Sequence, residues 1–170
     1  MSSQYVKNLV APLQQGTDSN ERIGKKIYIH RLDLEGQITL PYDGTTPQEG
    51  DTVKVALVLD RQSNNDGDPT WTDVYDDVTT TSLRNLTNTR RYQVLWSKNI
   101  VISAMNIQGG SVYRNFSIHK NLRGLSIEYS DPAGTSSQLV DNNLVLMTTA
   151  AAGANSDCLL KMRARIRFTD

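Results

Sequence analysis

Cysteine, histidine and long apolar runs are nearly missing from this chain of 170 residues. Its single cysteine, Cys158, excludes an intrachain disulfide and fits a reducing compartment. Nothing approaches the ~18–20 consecutive apolar residues of a membrane-spanning helix, so no membrane partner is expected. The only histidines, His30 and His119, lie in strand-like stretches, where a strand residue is a simpler reading than a catalyst. No His-Glu-x-x-His, Cys-x-x-Cys, Ser-His-Asp order or Walker loop is present. No enzyme activity, cofactor or metal site is therefore expected. The stretch "GTDSNERIGKK", residues 16–26, lacks the Gly-Lys-Ser/Thr ending of a phosphate-binding loop, and a strand follows it where a helix should. The acidic "NNDGDPTWTDVYDD", residues 64–77, lacks the ligand spacing of a calcium loop and reads as solvated loop. Tyr and Trp are scattered, so there is no stacking platform for sequence-specific reading of single-stranded bases.

Net charge is absent too, with Lys plus Arg equal to Asp plus Glu at 18 each. The balance is not local. Residues 51–80 hold seven acidic side chains (Asp51, Asp60, Asp66, Asp68, Asp73, Asp76, Asp77) against Lys54 and Arg61. Residues 81–130 hold seven basic ones against Glu128 alone. A neutral chain divided this way has a dipolar surface. It favours head-to-tail contacts between copies, in which the acidic 60–77 region meets basic segments of a neighbour, or one basic face and one acidic face.

What is present is alternation with period two. From Leu32 the apolar positions are Leu32, Leu34, Ile38 and Leu40, with Gly36 in phase, while Ile27 and Ile29 fall in the other phase. A one-residue β-bulge near His30–Arg31 reconciles them and makes 25–40 one long bent strand. Further strands are expected at 5–13, 52–60, 90–103, 112–119, 123–130, 143–150 and 158–168. Residues 52–60 are apolar on both faces and read as central. In 90–103, Tyr92, Val94, Trp96, Ile100 and Ile102 share one face. Polar loops separate the strands at 61–71, 106–111 and 130–138, and 71–78 suits one or two helical turns. About eight strands in one domain, 1–170, with no helix of ordinary length, give an all-β antiparallel sandwich or barrel.

The densest basic feature is the last strand. Lys161, Arg163, Arg165 and Arg167 occupy one face, opposite Cys158, Leu160, Met162, Ala164, Ile166 and Phe168. Alternate strand residues repeat every ~6.6–6.8 Å, close to the spacing of phosphates along an extended single strand. The stripe reads as a phosphate-contacting row or as a solvated, salt-bridged outer face. Arg22, Lys25 and Lys26, at the mouth of the 25–40 strand, carry the same two readings.

The order of segments resembles the coat proteins of small circular single-stranded DNA viruses, with the geminivirus coat protein the nearest named family. The likeness runs through "GTDSNERIGKKIYIHRLDLEGQITL", "VKVALVLDRQ", "RRYQVLWSKNIVIS", "NNLVLMTTAA" and "LLKMRARIRFTD", from about residue 16 to the C-terminus. It implies an eight-stranded antiparallel viral jelly roll, with sheets in the order B-I-D-G and C-H-E-F. The expected strands would be B to I in sequence, with 158–168 paired on both sides. It also implies a capsid protein without enzymatic activity. About 60 copies would close a small icosahedral shell around a circular single-stranded DNA genome, bound without sequence preference. The virion, and the host nucleus during infection, are the implied locations. The family's Arg/Lys-rich N-terminal arm has no counterpart here: the first 21 residues contain only Lys7. Genome contact would then fall to Lys161, Arg163, Arg165, Arg167, Arg22, Lys25 and Lys26. A soluble β-sandwich module that binds nucleic acid or carbohydrate is the alternative.

Overall fold

The computed structural model describes residues 4–18, 21–40, 50–64, 66–103, 111–132, 135–151 and 158–170. The loop expected at 106–111 lies outside them except for Ser111, and so does part of that at 130–138. In chain order the strands are β1 (Gln4–Asn8), β2 (Lys26–Leu40), β3 (Asp51–Asp60), β4 (Tyr92–Ile102), β5 (Val112–Tyr129), β6 (Leu139–Asp141), β7 (Asn143–Ala150) and β8 (Leu159–Thr169). One helical turn, α1 (Trp71–Val74), lies between β3 and β4. The fold is all-β, with two four-stranded sheets in the orders β1-β7-β3-β4 and β6-β5-β2-β8, and every pairing is antiparallel.

Alternation decides which faces meet. Ile27, Ile29, Leu32, Leu34 and Ile38 of β2 pack with Val53, Val55 and Leu57 of β3 and with Leu144 and Leu146 of β7 in one core between the sheets. The other face of β3 and β7 is covered as well. Ala56, Val58, Val145 and Met147 pack under Trp71, Val74 and Tyr75. Covering on both sides is why β3 and β7 carry apolar residues on both faces and sit in the middle of their sheet. Lys54, on the same covered face, is buried too. Its ammonium donates to the Ser82 carbonyl at 2.7 Å and lies 4.1 Å from the Tyr75 ring centroid.

The bulge expected in β2 is present: register jumps from Ile29 to Arg31 against both β5 and β8. Other expectations need correction. The 5–13 strand ends at Asn8, because its side-chain oxygen accepts from the amides of Val10 and Ala11 and turns the chain. Strand 90–103 does not keep one face. A second bulge puts Leu57 opposite Trp96 but Val58 opposite Val94, so Tyr92 and Val94 join the outer cluster while Ile100 and Ile102 join the core.

The segments 112–119 and 123–130 are not separate strands in opposite sheets. They form the single strand β5, both halves of which pair with β2. Arg123 and Gly124, at φ of 52° and 78°, kink the strand without reversing it. The last two strands are also exchanged relative to the order implied by the family. β7 pairs with β1 and β3, and β8 pairs with β2 alone at a sheet edge. The cause is patterning: β7 is buried at all eight positions and suits a sheet covered on both faces. β8 carries a charged face that must reach solvent.

Candidate nucleic-acid interface

The outward face of sheet β6-β5-β2-β8 carries most of the basic residues singled out above. Register sets them in rows across three strands. Lys161 lies opposite Gln37 and then Asn115; Arg163 opposite Glu35 and Ser117; Arg165 opposite Asp33 and His119; Arg167 opposite Arg31 and Asn121. All four stripe residues are exposed. Because β8 is an edge strand, the even-numbered Leu160, Met162, Ile166 and Phe168 are only half-buried against the core, and Ala164 is exposed. The expectation that the last strand is paired on both sides, with its apolar face filling the core, is corrected on both counts.

The stripe has a companion that the sequence did not reveal. Glu35 and Asp33 form an acidic column one strand away, at the ~4.8 Å spacing of neighbouring strands. Asp33 is engaged: its Oδ1 is 2.8 Å from His119 Nδ1 and accepts from Arg31 Nε at 2.8 Å. The hydrogen bond with His119, and then that from Arg31, hold its carboxyl below the usual carboxylate value. Among the described residues, no carboxylate lies within ion-pair distance of Lys161, Arg163, Arg165 or Arg167.

Arg22 leaves the candidate set. It is fully buried, stacked 3.9 Å from the centroid of the Tyr129 ring. Its guanidinium donates to the carbonyls of Leu13, Gly24 and Asp131. A side chain so enclosed and engaged is a clasp between loops and has no nitrogen to offer a phosphate. Lys25 and Lys26 are exposed at the start of β2. Lys26 lies 3.9 Å from Glu128 on β5, an exposed pair that contributes little to stability. Lys26 and Arg31 share the outward face of β2, so the cationic surface continues past the end of the stripe.

The acidic 60–77 region is largely used within the chain. Buried Asp60 takes a two-pronged contact from Arg91 at 2.9 and 3.0 Å, and Asp66 lies 3.6 Å from the same guanidinium. Asp73 caps α1 through the Thr70 amide. Asp76 and Asp77 accept from the amides of Leu83 and Thr79. Among the described residues, no group of histidine, cysteine and carboxylate side chains is arranged to hold a metal ion.

Four residues missed as a group come together at the β2 bulge: His30, Arg31, His119 and Lys120, joined by Asn121 and Arg167 around an open notch. Pattern gave no signal for it, because the residues come from three strands and meet only through register. The chain matches no protein-family model and no curated protein.

Proposed function

We propose that the chain is the structural subunit of a small icosahedral shell, a jelly roll in a variant form, that self-assembles around a circular single-stranded DNA genome and performs no chemistry. The observation that carries this reading is the nested pairing of β2 with β8 and of β3 with β7, in opposite sheets. A long antiparallel ribbon folded over from one sheet to the other is the winding of a jelly roll. Here β4 and β5 take positions beside β3 and β2, which makes the order of strands a variant.

Exposed surfaces support contact between copies. β4 and β8 are sheet edges, and open edges call for cover. Beside β8, a groove toward β1 is lined by Leu9, Pro12, Leu13, Met162, Ile166 and Phe168. Leu83 and Leu86 are 73% and 81% exposed on the segment that covers the first sheet. The cationic face of β8 would meet phosphates of the genome, by contacts that position a strand without reading its bases.

Electron microscopy of the purified chain in negative stain tests this. Uniform closed particles are the expected result; a monomer that persists at high concentration overturns it. If charged pairs orient neighbouring copies, particle yield changes between low salt and 1 M salt, where the Debye length falls to ~3 Å.

A second reading, a soluble binding module for nucleic acid or carbohydrate, is favoured by one feature. A trough runs across the outer sheet face, bordered by Glu35, Gln37, Asn115, Ser117, Lys161 and Arg163. A monomer that binds an oligonucleotide or a glycan there would carry this reading instead.

A further inference from the structure

We propose that the notch at the β2 bulge is a seat for a phosphate group, held between Arg31 and Arg167. His30 is the extra residue in β2. On the other side, β5 places Leu122, Arg123 and Gly124 opposite that single residue, so two irregularities face each other. Bulges re-aim side chains. This one turns Arg31 to the outer face, in register with Arg167 on the neighbouring strand.

Two like charges directly opposite on paired strands oppose the pairing. Nothing in the chain relieves them fully. Asp33 accepts from Arg31 Nε but leaves the terminal guanidinium nitrogens without a hydrogen-bond partner among the described residues. Arg167 and Lys120 have no hydrogen-bond or ion-pair partner among the described residues. Arg31 and Arg167 thus face each other across the notch with one carboxylate beside them, and Lys120, in register with Leu32 of the core face, adds a third cation at its edge. His119 is tied to Asp33, and His30 is 3.1 Å from the hydroxyl of Thr169, so both rings are held at the rim. Asn121 adds an amide.

An oxyanion with several acceptor oxygens fits this arrangement. Guanidinium groups match phosphate geometry with paired hydrogen bonds, and a phosphate between Arg31 and Arg167 turns their repulsion into a clamp. The notch is open to solvent and offers about 570 Å³, so it admits a nucleotide's phosphate with part of its sugar as readily as a free ion. The oxyanion chemistry stands on this geometry; only its assignment to a packaged DNA strand rests on the shell reading.

Titration calorimetry with sodium phosphate, and separately with a short oligothymidylate, tests the seat at an ionic strength fixed with sodium chloride. The technique works on free chains and on particles, so failure to assemble leaves it readable. Saturable phosphate binding is expected. It should weaken at least tenfold in the double variant Arg167→Gln with Lys120→Gln, and less than twofold when Arg90→Gln and Lys98→Gln remove the same charge elsewhere. In phosphate-free buffer, Arg167→Gln should raise Tm, because it relieves the like-charge pair; damage to the fold would lower it. Displacement of phosphate by the oligonucleotide identifies a strand phosphate as the source, and phosphate binding without displacement identifies the free ion. No saturable binding of either probe, or equal losses in the two double variants, overturns the proposal.

Discussion

The guanidinium carbon of Arg22 lies over the ring of Tyr129, 3.9 Å from its centroid, at the end of β5. Tyr129 in turn donates its hydroxyl to the Val10 carbonyl at 2.9 Å. Residues near 10, 22 and 130 are thereby fastened together. Arg22→Ala should cost about 3 kcal/mol: it strands three carbonyls and removes the ring contact, while relief of the buried guanidinium's desolvation offsets part of the lost charge-assisted bonds. Urea unfolding measures this. Phosphate affinity of the folded variant should be unchanged, whereas a phosphate ligand at Arg22 would lower it.

Gly36 predicts a steric coupling. A Cβ there would lie 2.2 Å from Cζ of Phe116, whose ring is stacked against Trp96 with centroids 6.1 Å apart. The ring has little room to retreat. Gly36→Ala should destabilise by about 2 kcal/mol, the usual cost of overpacking. In a Phe116→Leu background the same change should cost at least about 1 kcal/mol less, and a double-mutant cycle reads the difference. Additive effects would mean that the backbone, not the ring, sets the penalty.

Much of the fold was legible because alternation survives wherever one face of a strand is dry and the other wet. Ile27 and Ile29, then Leu32 and Leu34, announced the β2 bulge by changing phase. The bulge in β4 was hidden, because Val94, Leu95 and Trp96 are apolar in both phases. Alternation in β8 showed a charged face but could not say whether one neighbour or two flanked the strand. Arg22 looked like a surface cation because burial by three backbone carbonyls and a ring leaves no trace in local sequence. Arg31 and Arg167 are far apart in the chain, and only register makes them neighbours.

Alkaline pH should unfold the protein steeply. Burial raises the phenol of Tyr129, despite the opposing charge of Arg22, and burial pushes Tyr92 up to about 12. A group whose folded value lies above its unfolded value of about 10 contributes stability that is complete below pH ~10 and lost as pH rises through the folded value. Lys54 acts in the opposite sense. Burial lowers its ammonium despite Asp76 and Asp77, so the unfolded chain holds the proton longer and stability rises with pH until about 10.4. Urea midpoints from pH 8 to 12 should therefore fall above pH 10 in the native sequence. The fall should be shallower in Tyr129→Phe. A fall of the same slope in that variant would show that Tyr129 does not drive it.

Under the proposed shell function, the stripe on β8 is where nucleic acid would be held. Arg163 and Arg165 project from an edge strand beside Glu35 and Asp33, and none of the four pairs across strands closely enough to be neutralised. Cations left open in this way attract phosphates, while the adjacent carboxylates limit the attraction. Replacing Arg163 and Arg165 together by Gln keeps side-chain length and hydrogen bonding but removes two charges per subunit. Particles should still form and hold less nucleic acid, read as a lower ratio of absorbance at about 260 to that at about 280 nm. Loss of two phosphate contacts should also flatten the dependence of log affinity on log salt by about 1.4, at ~0.7 per contact for a single strand. Glu35→Gln tests the same field from the other side and should raise nucleic-acid content, because it removes the carboxylate opposite Arg163. Failure of the double variant to assemble would move the stripe into a subunit interface. Unchanged assembly, content and salt slope would make it a solvated face, whose charges serve only to keep an exposed strand edge from pairing with a copy of itself.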